Sequence, residues 1–288
     1  MASGIPIIRT IADLRAQVRA WREARQSVAL VPTMGALHEG HLELVRLARS
    51  RCMRTVVSIF VNPTQFAPHE DFDRYPRDEA GDLAKLAGVG CDAVWRPELN
   101  QMYGEGFATR IVPAGAAEGL ESDVRPHFFG GVATVCCKLF AQVLPDIAVF
   151  GEKDYQQLAV VRQMVRDLDL PLEIVGAPTV READGLALSS RNAYLTAAER
   201  RIAPTLNRAI VEVAAKVANG GNIDQATTAA KATLSAAGFG KIDYVEVRDA
   251  ETLKPVAPDA GRPLRVLAAA WLGKTRLIDN VGIVRGDT

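Results

Sequence analysis

The stretch SVALVPTMGALHEGHLELVRLARSRCMRTVVSIFVN, residues 27–62, decides the fold. It opens on a short apolar run, SVALVP, which reads as a strand buried on both faces. The turn TMGALHEG leads into a helix, HLELVRLARSRC, and a second buried strand, TVVSIFVN, runs up to Pro63. Strand, turn, helix and strand form a βαβ unit, which implies parallel strands and a right-handed crossover.

Outward from this unit the alternation continues. On its N-terminal side, Ile11, Leu14, Val18 and Trp21 recur at helical steps, and Thr10 with Asp13 makes a helix start. On its C-terminal side the pattern predicts a helix over 78–86, the strand DAVWRP, a helix over 132–144, the strand DIAVFG, a helix over 154–168 and the strand LEIVGAPTV. Beyond about residue 180 the texture changes. A loop, READGLALSSRNAYLT, precedes helices near 196–218 and 223–236, and three strand-like runs follow. The expected fold class is therefore α/β. It comprises a Rossmann-like, doubly wound parallel sheet over 1–180 and a smaller C-terminal α+β domain with an antiparallel sheet over 181–288.

Composition narrows the function. With 48% hydrophobic and 24% charged residues, the 288-residue chain has the make-up of a folded globular protein, not a disordered one. Thirty-four basic and 34 acidic residues cancel, so no overall pull toward nucleic acid or an anionic membrane is expected. No apolar run approaches the roughly 18 residues of a membrane span, and residues 1–9 lack a signal-peptide pattern. Cys52, Cys91, Cys136 and Cys137 form no C-x-x-C pair. Buried reduced thiols and a cytoplasmic location are the expectation.

The chemistry concentrates beyond the strand ends. In VPTMGALHEGH, residues 31–41, His38 and His41 share one face of a helix start, and Gly35 and Gly40 permit close backbone approach. Imidazoles at a helix N-terminus suit a phosphate, to which they donate hydrogen bonds as negative charge builds. Capping histidines are the plain alternative. Zinc is disfavoured, because H-E-G-H is one residue short of H-E-x-x-H and neither His69 nor His127 has ligand spacing. FGEKDYQQL, residues 150–158, opens another helix on the same rim. Lys153 suits phosphate, Asp154 suits ribose hydroxyls, and Gln156 and Gln157 suit a hydroxylated substrate. LALSSRNAYL, residues 186–195, offers two hydroxyls and a guanidinium to a polyphosphate. SIFVNPTQF puts Gln65 on the same rim, while Asp71, Asp73 and Asp82 are candidates for magnesium at one remove.

VPTMGALHEGH, SIFVNPTQF, RYPR, FGEKDYQQL, DGLALSSRNAYL and AAAWLGKTRLIDN, in this order over residues 31–280, resemble the pantothenate synthetase family. That group shares the H-I-G-H-type signature of class I aminoacyl-tRNA synthetases. The resemblance implies a two-step ligation. ATP and pantoate give pantoyl adenylate and pyrophosphate, and β-alanine then displaces AMP to yield pantothenate. It implies that His38, His41, Lys153, Ser189, Ser190 and Arg191 are catalytic and hold the ATP phosphates. Pro32, Thr33, Met34, Gly151, Asp154, Val180 and Leu188 complete the ATP site, with Gly151 and Asp154 at the ribose. Gln65, Gln157 and Met34 would hold pantoate. Magnesium would accompany ATP with Asp82 as an outer partner, the partners would be small molecules, and the chain would form a homodimer. One departure stands out: where the family reads R-P-x-H-F-x-G-V, this chain reads RPHFFGGV, with Phe128 at the histidine position and His127 one residue early. The rivals are an adenylyltransferase that leaves AMP on its product, a synthetase fragment, which would need a K-M-S-K-S signature absent here, and a nucleotide-binding module without chemistry.

Overall fold

The computed structural model describes residues 4–67, 70, 72–256 and 262–284. Residues 28–33 form a central strand because both of its faces are apolar. Val28 and Leu30 enter one core, Ala29 and Val31 enter another on the opposite face, and all four are fully buried. In chain order the parallel strands are β1 (Ile7–Ile8), β2 (Val28–Thr33), β3 (Arg54–Ile59), β4 (Ala93–Trp95), β5 (Ile147–Gly151) and β6 (Glu173–Ala177). In space they lie in the order β1-β4-β3-β2-β5-β6. The two-residue β1 adds to the expected elements, since IPII is too short to display a period.

Helices α1 (Ile11–Glu23), α2 (Glu39–Arg51) and α3 (Glu79–Gly88), the single turns α4 (Leu99–Met102) and α5 (Glu121–Val124), and helices α6 (Phe128–Val143) and α7 (Tyr155–Asp167) connect these strands. Helices α1, α6 and α7 fill the core on one face, and α2 and α3 fill the core on the other. Thr10 caps α1 as its spacing predicts, accepting from the Asp13 N–H at 3.1 Å.

The strand order reverses between β2 and β5, and crevices at such a switch point receive ligands beyond the carboxyl ends of the strands. The β2–β5 ladder pairs only Ala29 with Ile147 and Leu30 with Ala148. Pro32, with no N–H to give, sits where the two strands part. The opening thus begins within the sheet itself.

The expected helix over 196–218 is in fact two, α8 (Ala197–Ile202) and α9 (Thr205–Ala218). Pro204 separates them, because its ring and missing N–H cannot continue a helix interior. Helix α10 (Ile223–Ala237) precedes the antiparallel sheet of β7 (Ile242–Asp249), β8 (Leu264–Leu272) and β9 (Thr275–Ile283). Alternation again feeds two cores. Val245, Val247, Val266 and Ala268 pack with α9 and α10, whereas Tyr244, Leu267 and Ala269 join the core of the large sheet. The small sheet is therefore clasped between its own helices and the large-sheet half. Among the described residues, no helix is long and apolar enough to cross a membrane. Burial pushes the Cys91 and Cys136 thiols up to about 12, which keeps them protonated and unreactive.

Candidate active site

A cleft of about 670 Å³ opens at the switch point, a size suited to a nucleotide-scale ligand. His38, at the N-cap of α2, and His41, one turn in, line it with ring centroids 4.0 Å apart. The His38 backbone N–H donates to Nδ1 of His41 at 3.3 Å. An Nδ1 that accepts leaves the hydrogen of a neutral ring on Nε2. Among the described residues, the buried Nδ1 of His38 has no hydrogen-bond partner. Gly40 leaves them room: a Cβ there would lie 2.9 Å from His38 Cε1, so the ring would have to shift.

Before this helix the chain turns through left-handed backbone at Gly35 (φ 81°) and Ala36 (φ 52°). For alanine that conformation costs about 1–2 kcal/mol. The carboxylate of Asp82, reaching in from α3, offsets it by accepting from Ala36 N–H at 3.0 Å and Leu37 N–H at 2.7 Å. Lys85 donates to the Leu37 carbonyl at 2.7 Å. Asp82 is 2% exposed. It does not line the cleft, and both its oxygens hold the histidine loop. Asp73 also lies outside the cleft lining, and Asp71 and His69 fall outside the described residues.

Burial and the Lys153 ammonium push His38 down to about 4. Burial, His38 and Lys153 push His41 down to about 3. Both are neutral donors at neutral pH. Because the folded values lie below the ordinary 6.5, the unfolded chain takes up protons first as pH falls. Stability is therefore present above pH 6.5 and lost on descending toward 4. Each proton bound only by the unfolded chain costs about 1.4 kcal/mol per pH unit. Denaturant melts of the ligand-free protein at pH 7 and 4.5 should show this fall, and His41→Asn should flatten it. Equal slopes for the two proteins would contradict the assignment.

Across the crevice, Gly151 ends β5, Lys153 and Asp154 follow it, and all three line the same cleft. Val180, Leu188, Ser189, Ser190 and Arg191 form another wall. Ser189 caps the short turn Ser190–Tyr194, its Oγ accepting from Arg191 N–H at 3.3 Å. Pro32 and Thr33, at the end of β2, and Met34 just after it also line the cleft.

Deeper in, Gln65 and Gln157 both line the cleft. Gln65 is oriented by Asn62, which is 1% exposed and fully used. Asn62 Oδ1 accepts from Thr64 Oγ and Tyr103 Oη, each at 2.9 Å. Its Nδ2 donates to Gln65 Oε1 at 2.9 Å and to the Gly131 carbonyl at 3.2 Å. Among the described residues, the amide hydrogens of Gln65 have no partner. Gln156 differs from its neighbour, because its side chain is spent on backbone groups of Ala116, Gly119 and Glu121. Phe128 lines the cleft with the Arg125 guanidinium stacked 4.0 Å from its ring centroid. His127, just before α6, is exposed and does not line the cleft, so it does not take up the position that Phe128 fills.

The pantoate-β-alanine ligase family model matches residues 6–282. The chain belongs to that family. A pantothenate synthetase from Caulobacter vibrioides is 59% identical, over 96% of this chain and 98% of its own. The crystal structure of pantothenate synthetase from Thermus thermophilus superposes with a TM-score of 0.89 at 47% identity, covering 96% of this chain and 99% of that one. The Francisella tularensis pantoate-β-alanine ligase, solved with β,γ-ATP and β-alanine, superposes with a TM-score of 0.80 at 32% identity, covering 96% and 97%.

Several residues of this ligase's cleft are invisible to motif reading. Glu121, 7% exposed, receives Arg276 of β9 through two 2.8 Å contacts and Arg125 through one of 3.2 Å. Arg276 in turn pairs with Asp243 at 2.6 Å. This ionic chain ties the α5 turn to strands β7 and β9 of the small sheet at the edge of the cleft. The TRLIDN run contains Arg276, but no spacing within it reveals a partner 155 residues away.

Proposed function

We propose that the chain condenses pantoate with β-alanine through a pantoyl adenylate, using MgATP as co-substrate. What carries this reading is the convergence of two neutral imidazoles, Lys153 and the Ser189–Arg191 turn at one switch-point crevice, beside the donor amide of Gln65. Family membership supplies the substrates.

In the first step a pantoate carboxylate oxygen bonds to the α-phosphorus while the α–β bridging P–O bond breaks and pyrophosphate leaves. Negative charge grows on the departing oxygens. His41, through Nε2–H, and His38 meet that charge with donors already in place, and Lys153 and Arg191 add positive charge. Gln65 and Gln157 hold pantoate, and Gly151 and Asp154 hold the ribose. In the second step the β-alanine amine attacks the acyl carbon, loses a proton and expels AMP. Positioning suffices here, since the adenylate already carries a good leaving group.

Among the described residues, no group of three His, Cys, Asp or Glu side chains could hold a metal ion. Magnesium takes phosphate oxygens and water with few or no protein carboxylates. In this reading it enters on the nucleotide. The same reading divides the chain into a nucleotide- and pantoate-binding part, 1–180, and a lid, 181–288, working as a cytoplasmic homodimer; light scattering would check the dimer.

Pantoate-dependent exchange of labelled pyrophosphate into ATP, with magnesium and no β-alanine, tests the proposal. Exchange is the expected result, and its absence with intact ATP binding would overturn it. Gln65→Ala should raise the pantoate KM roughly tenfold or more, the loss of about one hydrogen bond to a charged group, with the ATP KM little changed. A fall in ATP affinity alone would remove Gln65 from the pantoate site.

A further inference from the structure

Asp279 and Asn280 are neighbours on β9, and a strand turns successive side chains to opposite faces. Asn280 is paired across the sheet with Leu267, which belongs to the core of the large sheet, and Asp279 with Ala268, which belongs to the α9–α10 core. Each is 4% exposed. Asn280 gives both hydrogens of its amide to the loop that carries Lys153: Nδ2 donates to the carbonyls of Glu152 and Lys153, each at 2.9 Å. Arg265 donates to Asn280 Oδ1, which fixes the amide's orientation. The same guanidinium lies 3.7 Å from the ring centroid of Tyr155, the next residue but one after Lys153.

Asp279 reaches the other way. Its carboxylate accepts from Arg181 at 2.7 and 2.8 Å and from Asn207 at 3.1 Å. Arg181 also donates to the Gly185 carbonyl at 3.1 Å and forms an antiparallel bridge with Ala187. Leu188 N–H then closes onto the Val180 carbonyl at 3.0 Å. Asp279 thus holds the root of the hairpin that delivers Ser189, Ser190 and Arg191 to the cleft.

We propose that Asp279 and Asn280 are positioning residues for the adenylation step, one strand dipeptide setting the distance between Lys153 and the Ser189–Arg191 turn. The inference rests on the reading of those two segments as the grip on the ATP phosphates. A strand whose alternate faces hold both halves of the grip leaves neither free to drift, and displacements of about 1 Å at reacting groups can cost ~10² in rate.

The test is pyrophosphate exchange by Asn280→Ala, Lys153→Ala and the double variant, with Leu234→Ala, a core truncation in α10, as a destabilised control. Asn280→Ala should lose roughly 10- to 100-fold in kcat/KM for ATP and keep its KM for pantoate. It should add little in the Lys153→Ala background, because both changes spoil one group. Near-normal exchange by a folded Asn280→Ala, full additivity with Lys153→Ala, or an equal loss in Leu234→Ala would each overturn the inference. If Lys153→Ala itself exchanges normally, the underlying reading of Lys153 fails instead, and the inference with it. Asp279→Asn, which keeps volume and shape, carries the same comparison from the hairpin side, so a misfolded Asn280 variant does not end the test.

Discussion

His41→Ala should lower pantoate-dependent pyrophosphate exchange by ~10² or more, the cost of one preorganised donor to a developing anion. The argument begins with the tautomer. Because Nδ1 of His41 accepts from the His38 N–H at 3.3 Å, the hydrogen sits on Nε2. Burial and neighbouring Lys153 keep the ring neutral, its pKa pushed down to about 3. Such a donor needs no proton from solvent before it acts, so the His41 ring of the ligand-free wild type should show no titration near the ordinary histidine value of 6.5 by NMR. The alanine variant loses one cap hydrogen bond, about 1 kcal/mol, and should keep its fold by circular dichroism and thermal melting. A folded variant that exchanges at the wild-type rate would remove His41 from the mechanism.

The second large effect is expected at a glycine with no chemistry of its own. A Cβ on Gly131 would lie 2.5 Å from the Thr64 carbonyl oxygen and 2.8 Å from its carbon. Those atoms are backbone, so Gly131→Ala must drive α6 away from the 62–65 turn, an overpacking that typically costs about 1–3 kcal/mol. The first bond to stretch is the 3.2 Å one from Asn62 to the Gly131 carbonyl, and Asn62 is what orients Gln65. The expected outcome is a lower melting temperature together with a pantoate KM raised about tenfold or more. The ATP side should be largely spared, because His38 and Lys153 follow other strands. Gly130→Ala is the control: its Cβ would meet only the Ile111 carbonyl at an ordinary 3.5 Å. That variant should be neutral or slightly stabilised by better helix propensity. Matching behaviour of the two alanines would refute the close-approach argument.

Much of this molecule was legible in one dimension because its signals are local. A strand buried on both faces must be apolar throughout, so VALVP and TVVSI announce themselves. Residues that follow such strands must lie on the ligand rim, which is why His38, Gln65 and Lys153 could be grouped without coordinates. Pro204 was equally visible, and its break in the 196–218 run could have been read. Asp82 was not legible in the same way. Its place in the first turn of α3 looks like ordinary helix-dipole chemistry, and only the fold brings it to amides 45 and 46 residues earlier. Asn62 and Asp279 likewise act through partners that no periodicity names. The family histidine motif, for its part, says nothing of the Arg125–Phe128 stack that occupies its place here.

The parallel pairing of β2 with β5 also bears on how the chain is made. Val28 N–H and the Asp146 carboxylate, 2.6 Å apart in the finished molecule, are separated by 118 residues. At translation rates of about 5–20 residues per second, β5 emerges roughly 6–24 s after β2. Through that interval β3 can zip onto one side of β2, while the other side offers bare peptide groups to any neighbouring nascent chain. Pro32 withholds one rung of that ladder. The residue that parts the strands in the mature enzyme also trims the adhesive edge of the growing one.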